Sequence, residues 1–261
     1  VTDVDTKPKE YRPMSQPICV QLYTVRDAFA TDWKATLKRV ADIGYAGVEL
    51  VYTDQIPAAD FKAELTRNNL IASGAHVGIE FMRANLDQVI SDLKSFGARY
   101  VICPWIAPDQ RGDAAKWREF KAEFEQIAAR CQAQGMQFLY HHHEFELESL
   151  GDTNALTILL DESKPGLIDL EIDIFWVAFA GMDPVAMIHK YGTRVPCVHL
   201  KDMTADRDFA EVGHGTLDIA SVLTAADAVG AQFLIVEQDS CQRDPFESIT
   251  MSYQWLKQQG R

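Results

Sequence analysis

The sequence predicts a single-domain α/β protein folded as a (β/α)8 TIM barrel, and three observations lead there. A short β-branched or apolar run followed by a longer amphipathic stretch recurs eight times from Pro17 onward. Several runs, YVIC and FLIV among them, are apolar throughout, the mark of parallel strands buried on both faces beneath helices. The 261 residues match the ~250 that such a barrel takes.

The expected strands are Ile18–Leu22, Gly47–Leu50, Ile71–His76, Tyr100–Cys103, Met136–His141, Leu167–Asp173, Pro196–Leu200 and Gln232–Glu237. Between them apolar residues recur at helical spacing. Trp33, Leu37, Val40 and Ala41 share a face of the first helix, Trp117, Phe120, Phe124, Ile127 and Cys131 a face of the fourth, and Ile249, Tyr253 and Leu256 a face of the last. Gly44, Gly97, Gly135 and Gly230 stand where helices should stop, since glycine accepts the left-handed conformation that closes a helix. Eight units favour closure over an open doubly wound sheet. The chain also has neither G-x-G-x-x-G after its first strand nor G-x-x-x-x-G-K-[ST] anywhere. Residues 1–16 are polar and aperiodic and contain two prolines, so they read as a flexible N-terminal arm before a barrel spanning 17–261.

Composition narrows the partners. A formal net charge of −13 repels polyphosphate backbones and argues against nucleic acid. No window approaches an uninterrupted apolar span of ~18 residues, so no membrane helix is expected. Cys19, Cys103, Cys131, Cys197 and Cys241 are dispersed without a Cys-x-x-Cys pair. They read as small buried free thiols in a reducing, cytoplasmic setting. The chain opens on Val rather than Met, so a segment upstream is expected to be missing. A periplasmic or secreted setting after signal cleavage stays open, as does a homo-oligomer.

Barrels of this class place their chemistry at the C-terminal ends of the strands. There the third strand ends in His76, the fifth in His141-His142-His143-Glu144 and the sixth in Asp173. The seventh runs through His199-Leu200-Lys201-Asp202 and the eighth through Glu237-Gln238-Asp239. Five of the seven histidines fall at these places. Adjacent strands lie ~4.8 Å apart, so ligands on strands five to eight can converge on one ion. Neutral imidazole and carboxylate suit Mn²⁺, Co²⁺ or Zn²⁺, and a carboxylate-rich set admits Mg²⁺. Two histidines and two carboxylates leave positions for substrate oxygens, so one divalent ion is the expected cofactor. A single strand-end His or Asp more often caps a loop; the weight lies in four equivalent places coinciding. On the fifth strand His141 and His143 share a face, with His142 opposite. Either His141 or His143 can therefore point inward, and Glu144 and Glu146 could reach the mouth from the loop.

These motifs resemble the sugar phosphate isomerase/epimerase superfamily, whose fold is the xylose isomerase-like barrel. The resemblance runs from Gln21 to the end, on QLYTVRD (21–27), IGYAGVEL (43–50), GAHVG (74–78), YHHHEFE (140–146), DIFW (173–176), VHLKD (198–202), VGHGTLD (212–218) and IVEQD (235–239). It implies a metal site built from Glu on strand five, Asp on strand six, His on strand seven and Glu on strand eight. Asp173, His199 and Glu237 carry over. The family's strand-five Glu commonly stands six residues after a glycine, and six residues after Gly135 this chain has His141. The implied ligands are thus His141, Asp173, His199 and Glu237. In the family's epimerases the two glutamates are the bases that move a proton across an enediolate, so one base is replaced here. A His-rich fifth strand also resembles inosose dehydratase, a lyase of the same superfamily. Trp176 stands where ketohexose epimerases have a polar sugar-binding His; it either walls a sugar face or packs under the loop.

A sugar or keto-sugar is the expected substrate, and metal-assisted removal of a C–H proton the expected first step. Returning that proton gives isomerisation or epimerisation, the first choice from sequence; expelling a β-oxygen from a keto-sugar, 3-keto-glycoside or inosose gives the alternative, a lyase. The catalytic candidates are Glu237, His143, Glu144 and Lys201, the last as a cation or a neutral base unless it merely pairs with Asp202. His76, Glu146, Trp176, Arg26 and Trp105 are the substrate-binding candidates. Arg26 is the one evident basic residue near the mouth besides Lys201, which favours an unphosphorylated substrate. A nuclease-like reading would need more ligands on strands one to four than the chain offers, and a non-catalytic sugar-binding role would leave the ligand set unexplained.

Overall fold

The computed structural model describes residues 16–164 and 166–261. Among the described residues ten strands form: β1 Ile18–Gln21, β2 Gly47–Val51, β3 Ile71–His76, β4 Tyr100–Cys103, β5 Gln137–His141, β6 Ile168–Asp173, β7 Cys197–Leu200, β8 Asp202–Met203, β9 Phe209–Ala210 and β10 Phe233–Val236. Eight of them close a parallel barrel in the order β1-β10-β7-β6-β5-β4-β3-β2, with β1 paired to both β10 and β2. The expected barrel strands are all present, with ends shifted by a residue at most. The antiparallel β8–β9 pair was not expected from sequence, because two-residue strands carry no readable periodicity.

The helices are α1 Arg26–Thr31, α2 Trp33–Ile43, α3 Ala58–Arg67, α4 Ile79–Phe96, α5 Ala114–Ala133, α6 Ala155–Asp161, α7 Ile174–Phe179, α8 Pro184–Tyr191, α9 Ile219–Val229 and α10 Pro245–Gln258. Leu37 and Val40 of α2, the five expected residues of α5 and Ile249 and Leu256 of α10 are buried, while Trp33, Ala41 and Tyr253 are half-buried. Gly44 and Gly97 close α2 and α4 with φ of +116° and +81°, where a side chain would be strained. The expected N-terminal arm lies outside the described residues except for Gln16, whose side-chain oxygen accepts from Arg261 Nη1 at 3.1 Å. Among the described residues no helix is long and apolar enough to cross a membrane.

Period two along the strands explains the interior. Cys19, Ile102, Leu139, Cys197 and Ile235 form an apolar cluster inside the barrel, separate from the larger core between barrel and helices. Two residues further along the same faces stand Gln21, His141, His199 and Glu237. The barrel is thus plugged by hydrophobes below and lined by titratable groups above. Register locks the upper layer, with His141 opposite Glu171, Asp173 opposite His199, and His199 opposite Ile235.

Candidate metal centre and active site

Strand β6 passes into α7 without a loop, and Asp173 is the hinge. Its Oδ1 caps the helix, accepting from the Phe175 and Trp176 N–H groups at 2.9 and 3.3 Å. That bond aims the other oxygen, Oδ2, at 3.7 Å from His141 Nε2 and 3.0 Å from Lys201 Nζ. Across the mouth His199 Nδ1 lies 3.0 Å from Glu237 Oε2. His141, Asp173, His199 and Glu237 are buried, and each brings a ligand atom within 4.8 Å of the others. This is the set that the family resemblance implied, with His141 rather than His143 on β5. Asp173 Oδ2 is buried and, beyond its ion pair with Lys201, accepts no hydrogen bond. An oxygen in that state, beside an imidazole nitrogen 3.7 Å away, fits a cation held between them.

In a second group, which shares His141 and His199, these two and His76 and Glu171 also bring ligand atoms within 4.8 Å of one another. Glu171 and Glu49, neither singled out from sequence, are both fully buried. The signal was present: Glu49 is the one carboxylate of the apolar strand GVELV, and Glu171 stands between Asp169 and Asp173 at the same parity of IDLEID. Gln21 Nε2 donates to Glu49 at 2.9 Å.

Lys201 is the one fully buried ammonium among the described residues. Its Nζ lies 2.6 Å from Asp239 Oδ1, 2.7 Å from Glu237 Oε2 and 3.0 Å from Asp173 Oδ2. Burial alone would depress its pKa, but the three carboxylates raise it well above the usual lysine value. The neutral-base role and the pairing with Asp202 therefore both give way to a fixed cation. Asp202 points the other way and accepts four backbone N–H groups, from Met203, Leu217, Gly213 and Gly215, at 2.8 to 3.1 Å. A Cβ at Gly215 would stand 2.3 Å from Asp202 Oδ1, so VGHGTLD is the sequence that lets this loop wrap a carboxylate.

Protonation follows from these contacts. Burial would raise Glu237, but Lys201 and His199 outweigh it and hold the carboxyl below its ordinary range. Burial pushes Asp173 up to about 6 against the pull of Lys201 and His199. Burial and neighbouring cations push His141 and His143 well down, so both are neutral imidazoles.

A cavity of about 440 Å³ opens above this layer. His76, His141, His143, Lys201, Glu237 and Asp239 form its floor, and Tyr23, Val51, Tyr52 and Trp105 its rim. Of the sequence candidates, His76, His141, His143, Lys201, Glu237 and Trp105 therefore reach it. His142 is turned away, its Nε2 accepting from the Asp173 N–H at 3.2 Å. The remaining candidates stand elsewhere. Arg26 is exposed, stacked 4.2 Å over the Tyr23 ring and bonded to the Tyr23 carbonyl. Glu144 is half-buried in the turn before Phe145. Glu146 is fully buried, accepting from Tyr140 Oη at 2.5 Å and the His143 N–H at 2.8 Å. Trp176 packs among His143, Phe175, Phe179 and Phe209. His143 Nδ1 and Trp176 Nε1 are buried without hydrogen-bond partners.

Residues 37–259 match the family described as xylose isomerase-like TIM barrel. Inosose dehydratase of Geobacillus kaustophilus is 24% identical over 192 residues, 65% of this chain and 62% of the relative. The chain thus spans less than two thirds of the length of that relative, and 54% of the inosose dehydratase of Clostridium beijerinckii. Among solved structures, a sugar phosphate isomerase/epimerase from Parabacteroides distasonis superposes with a TM-score of 0.81 at 18% identity, covering 98% of both chains.

Proposed function

The chain belongs to the xylose isomerase-like TIM barrel family, and from that premise we propose that it is a metal-dependent carbon–oxygen lyase acting on a polyhydroxylated ketone: a keto-sugar, 3-keto-glycoside or inosose. One observation carries the choice, the asymmetry of the two proton-transfer positions. Glu237 is an ionised carboxylate at the cavity floor, whereas the β5 position is held by His141, whose Nδ1 is already bonded to Glu171 at 3.1 Å. Reversible epimerisation is best served by two matched bases on opposite faces of the carbon; elimination needs one base and a proton for the leaving oxygen. The likeness to inosose dehydratases supports the same reading.

When bound by His141, Asp173, His199 and Glu237, a divalent cation such as Mn²⁺, Co²⁺, Mg²⁺ or Zn²⁺ would polarise a substrate oxygen and acidify the adjacent C–H. Glu237 takes that proton. The released electron pair forms a carbon–carbon double bond as the β C–O bond breaks, and the departing oxygen, on the side where His143 Nδ1 stands without a partner, takes the proton that Glu237 removed, which regenerates the carboxylate. The Lys201 ammonium, pinned by three carboxylates, offsets charge developing on the substrate. The unpartnered His143 Nδ1 also favours a second reading, an isomerase or epimerase in which His143 returns the proton. The sequence alone ranks that reaction first.

Products formed in D₂O from a panel of ketoses, inososes and 3-keto-glycosides with Mn²⁺ separate the two. The lyase gives a product lighter by water or by an aglycone. A deuterated isomer of unchanged formula, with no eliminated product, selects the isomerase instead.

A further inference from the structure

Two carboxylates sit below the candidate metal ligands where neither solvent nor a conventional counter-ion reaches them. Glu49 on β2 and Glu171 on β6 are both 0% exposed. Among the described residues no Lys or Arg nitrogen lies within 4.0 Å of either; the ion-pair partners within that distance are imidazoles. Glu171 Oε2 faces His76 Nε2 at 2.7 Å, His199 Nε2 at 3.0 Å and His141 Nδ1 at 3.1 Å. Glu49 Oε2 faces His199 Nε2 at 2.8 Å and His76 Nε2 at 3.1 Å. Leaving such groups without positive charge would cost several kcal/mol each.

The arrangement is directional. His141 turns Nδ1 down to Glu171 and Nε2 up to Asp173, while His199 turns Nε2 down to Glu49 and Glu171 and Nδ1 up to Glu237. An imidazole that ligates a cation is neutral, with one N–H and one lone pair. If the downward nitrogen donates to a carboxylate, the upward nitrogen must present its lone pair. The two rings meet this requirement through opposite tautomers, so the lower carboxylates decide which nitrogen of each ring faces the mouth.

We propose that Glu171 and Glu49 are positioning residues that hold His141 and His199 each in the one tautomer able to bind a divalent cation from below. Glu171 also supplies through His141 the negative charge that a carboxylate ligand on β5 would have brought directly. This rests on the metal reading above. A cation lodged in the lower group instead would make Glu171 a direct ligand.

Titration of the full chain with Co²⁺, followed by absorption and calorimetry, tests this beside thermal melts that confirm folding. Glu171→Gln and Glu49→Gln should weaken Co²⁺ binding ~10–100-fold while one ion still binds at saturation with the wild-type spectral shape. Asp173→Ala should lose the ion altogether. Long-range ¹H–¹⁵N spectra of the Zn²⁺-loaded wild type should show His141 protonated on Nδ1 and His199 on Nε2, a readout that a carboxylate serving only the fold would not set. Wild-type affinity in both folded Gln variants, or the opposite tautomers, overturns the proposal. So does loss of the ion at saturation in Glu171→Gln, which would make Glu171 a direct ligand. Absence of Co²⁺ binding by the wild type removes the metal reading and this inference with it, an outcome distinguishable from the others.

Discussion

Single residues in this barrel are set by what lies immediately behind them. Glu237 is ionised because Lys201 and His199 face it, which makes it the strongest candidate base. Glu237→Gln keeps an oxygen for a cation but is a poor base, so turnover should drop at least ~10²-fold with part of the metal retained. Near-normal rates in that variant would move the base to His143. Lys201 makes the complementary case. Lys201→Met leaves Asp173, Glu237 and Asp239 facing one another, and breaking such a buried set should cost about 3–5 kcal/mol. Chemical denaturation without metal measures the loss, and adding Mn²⁺ should restore part of it. Glu146 shows the same physics with a pH signature. Burial raises its carboxyl from 4.5 to about 8, against the bonds from Tyr140 and His143. A group whose folded pKa is raised contributes stability below its unfolded value and loses it as pH rises through the folded value. Replacing Glu146 by Gln removes that dependence. The melting temperature of Glu146→Gln should therefore gain on wild type between pH 4.5 and about 8, and a constant difference across that window would contradict the assignment.

At the scale of elements, the loop after β7 is the least ordinary part of the barrel. Asp202 gathers four N–H groups, ties residues 213–217 back to β8, and so frees Lys201 to face the mouth. Asp202→Ala strands four donors and should cost about 3 kcal/mol, with Asp202→Asn losing roughly half as much. Urea melts and the rate of proteolysis across residues 204–216 report it. Equal stability of wild type and Asp202→Ala would mean that the loop is held by something else. The junction of β6 and α7 works in parallel, for the bond that caps the helix also fixes the Asp173 oxygen that faces Lys201 and His141.

For the whole molecule, closure through β1 and β10 makes the mouth a property of the complete barrel, since its four candidate ligands come from four neighbouring strand ends. A cation that binds only the folded chain should stabilise it by about 2.7 kcal/mol at a hundredfold excess over Kd. That corresponds to a rise of roughly 5–10 °C in Tm. Differential scanning calorimetry of wild type, Asp173→Ala and His199→Ala with Mn²⁺ checks it, and the same rise in all three would exclude the site.

Local chemistry wrote the barrel and most of its mouth into the sequence. Continuous apolar runs, helical spacing and glycines at helix ends are short-range signals, and the strand-end residues His141, Asp173, His199 and Glu237 stand out because polar groups are costly at the end of a buried strand. Tertiary structure alone decided the rest. That Lys201 turns to Asp239 rather than to its neighbour Asp202, and that Glu49 and Glu171 meet imidazoles from three other strands, depends on contacts between residues up to 150 positions apart. So does the withdrawal of Glu146 and Trp176 from the cavity. A residue's type and spacing fix what it can donate or accept, but its partner is chosen by barrel closure and strand register, which no local pattern encodes.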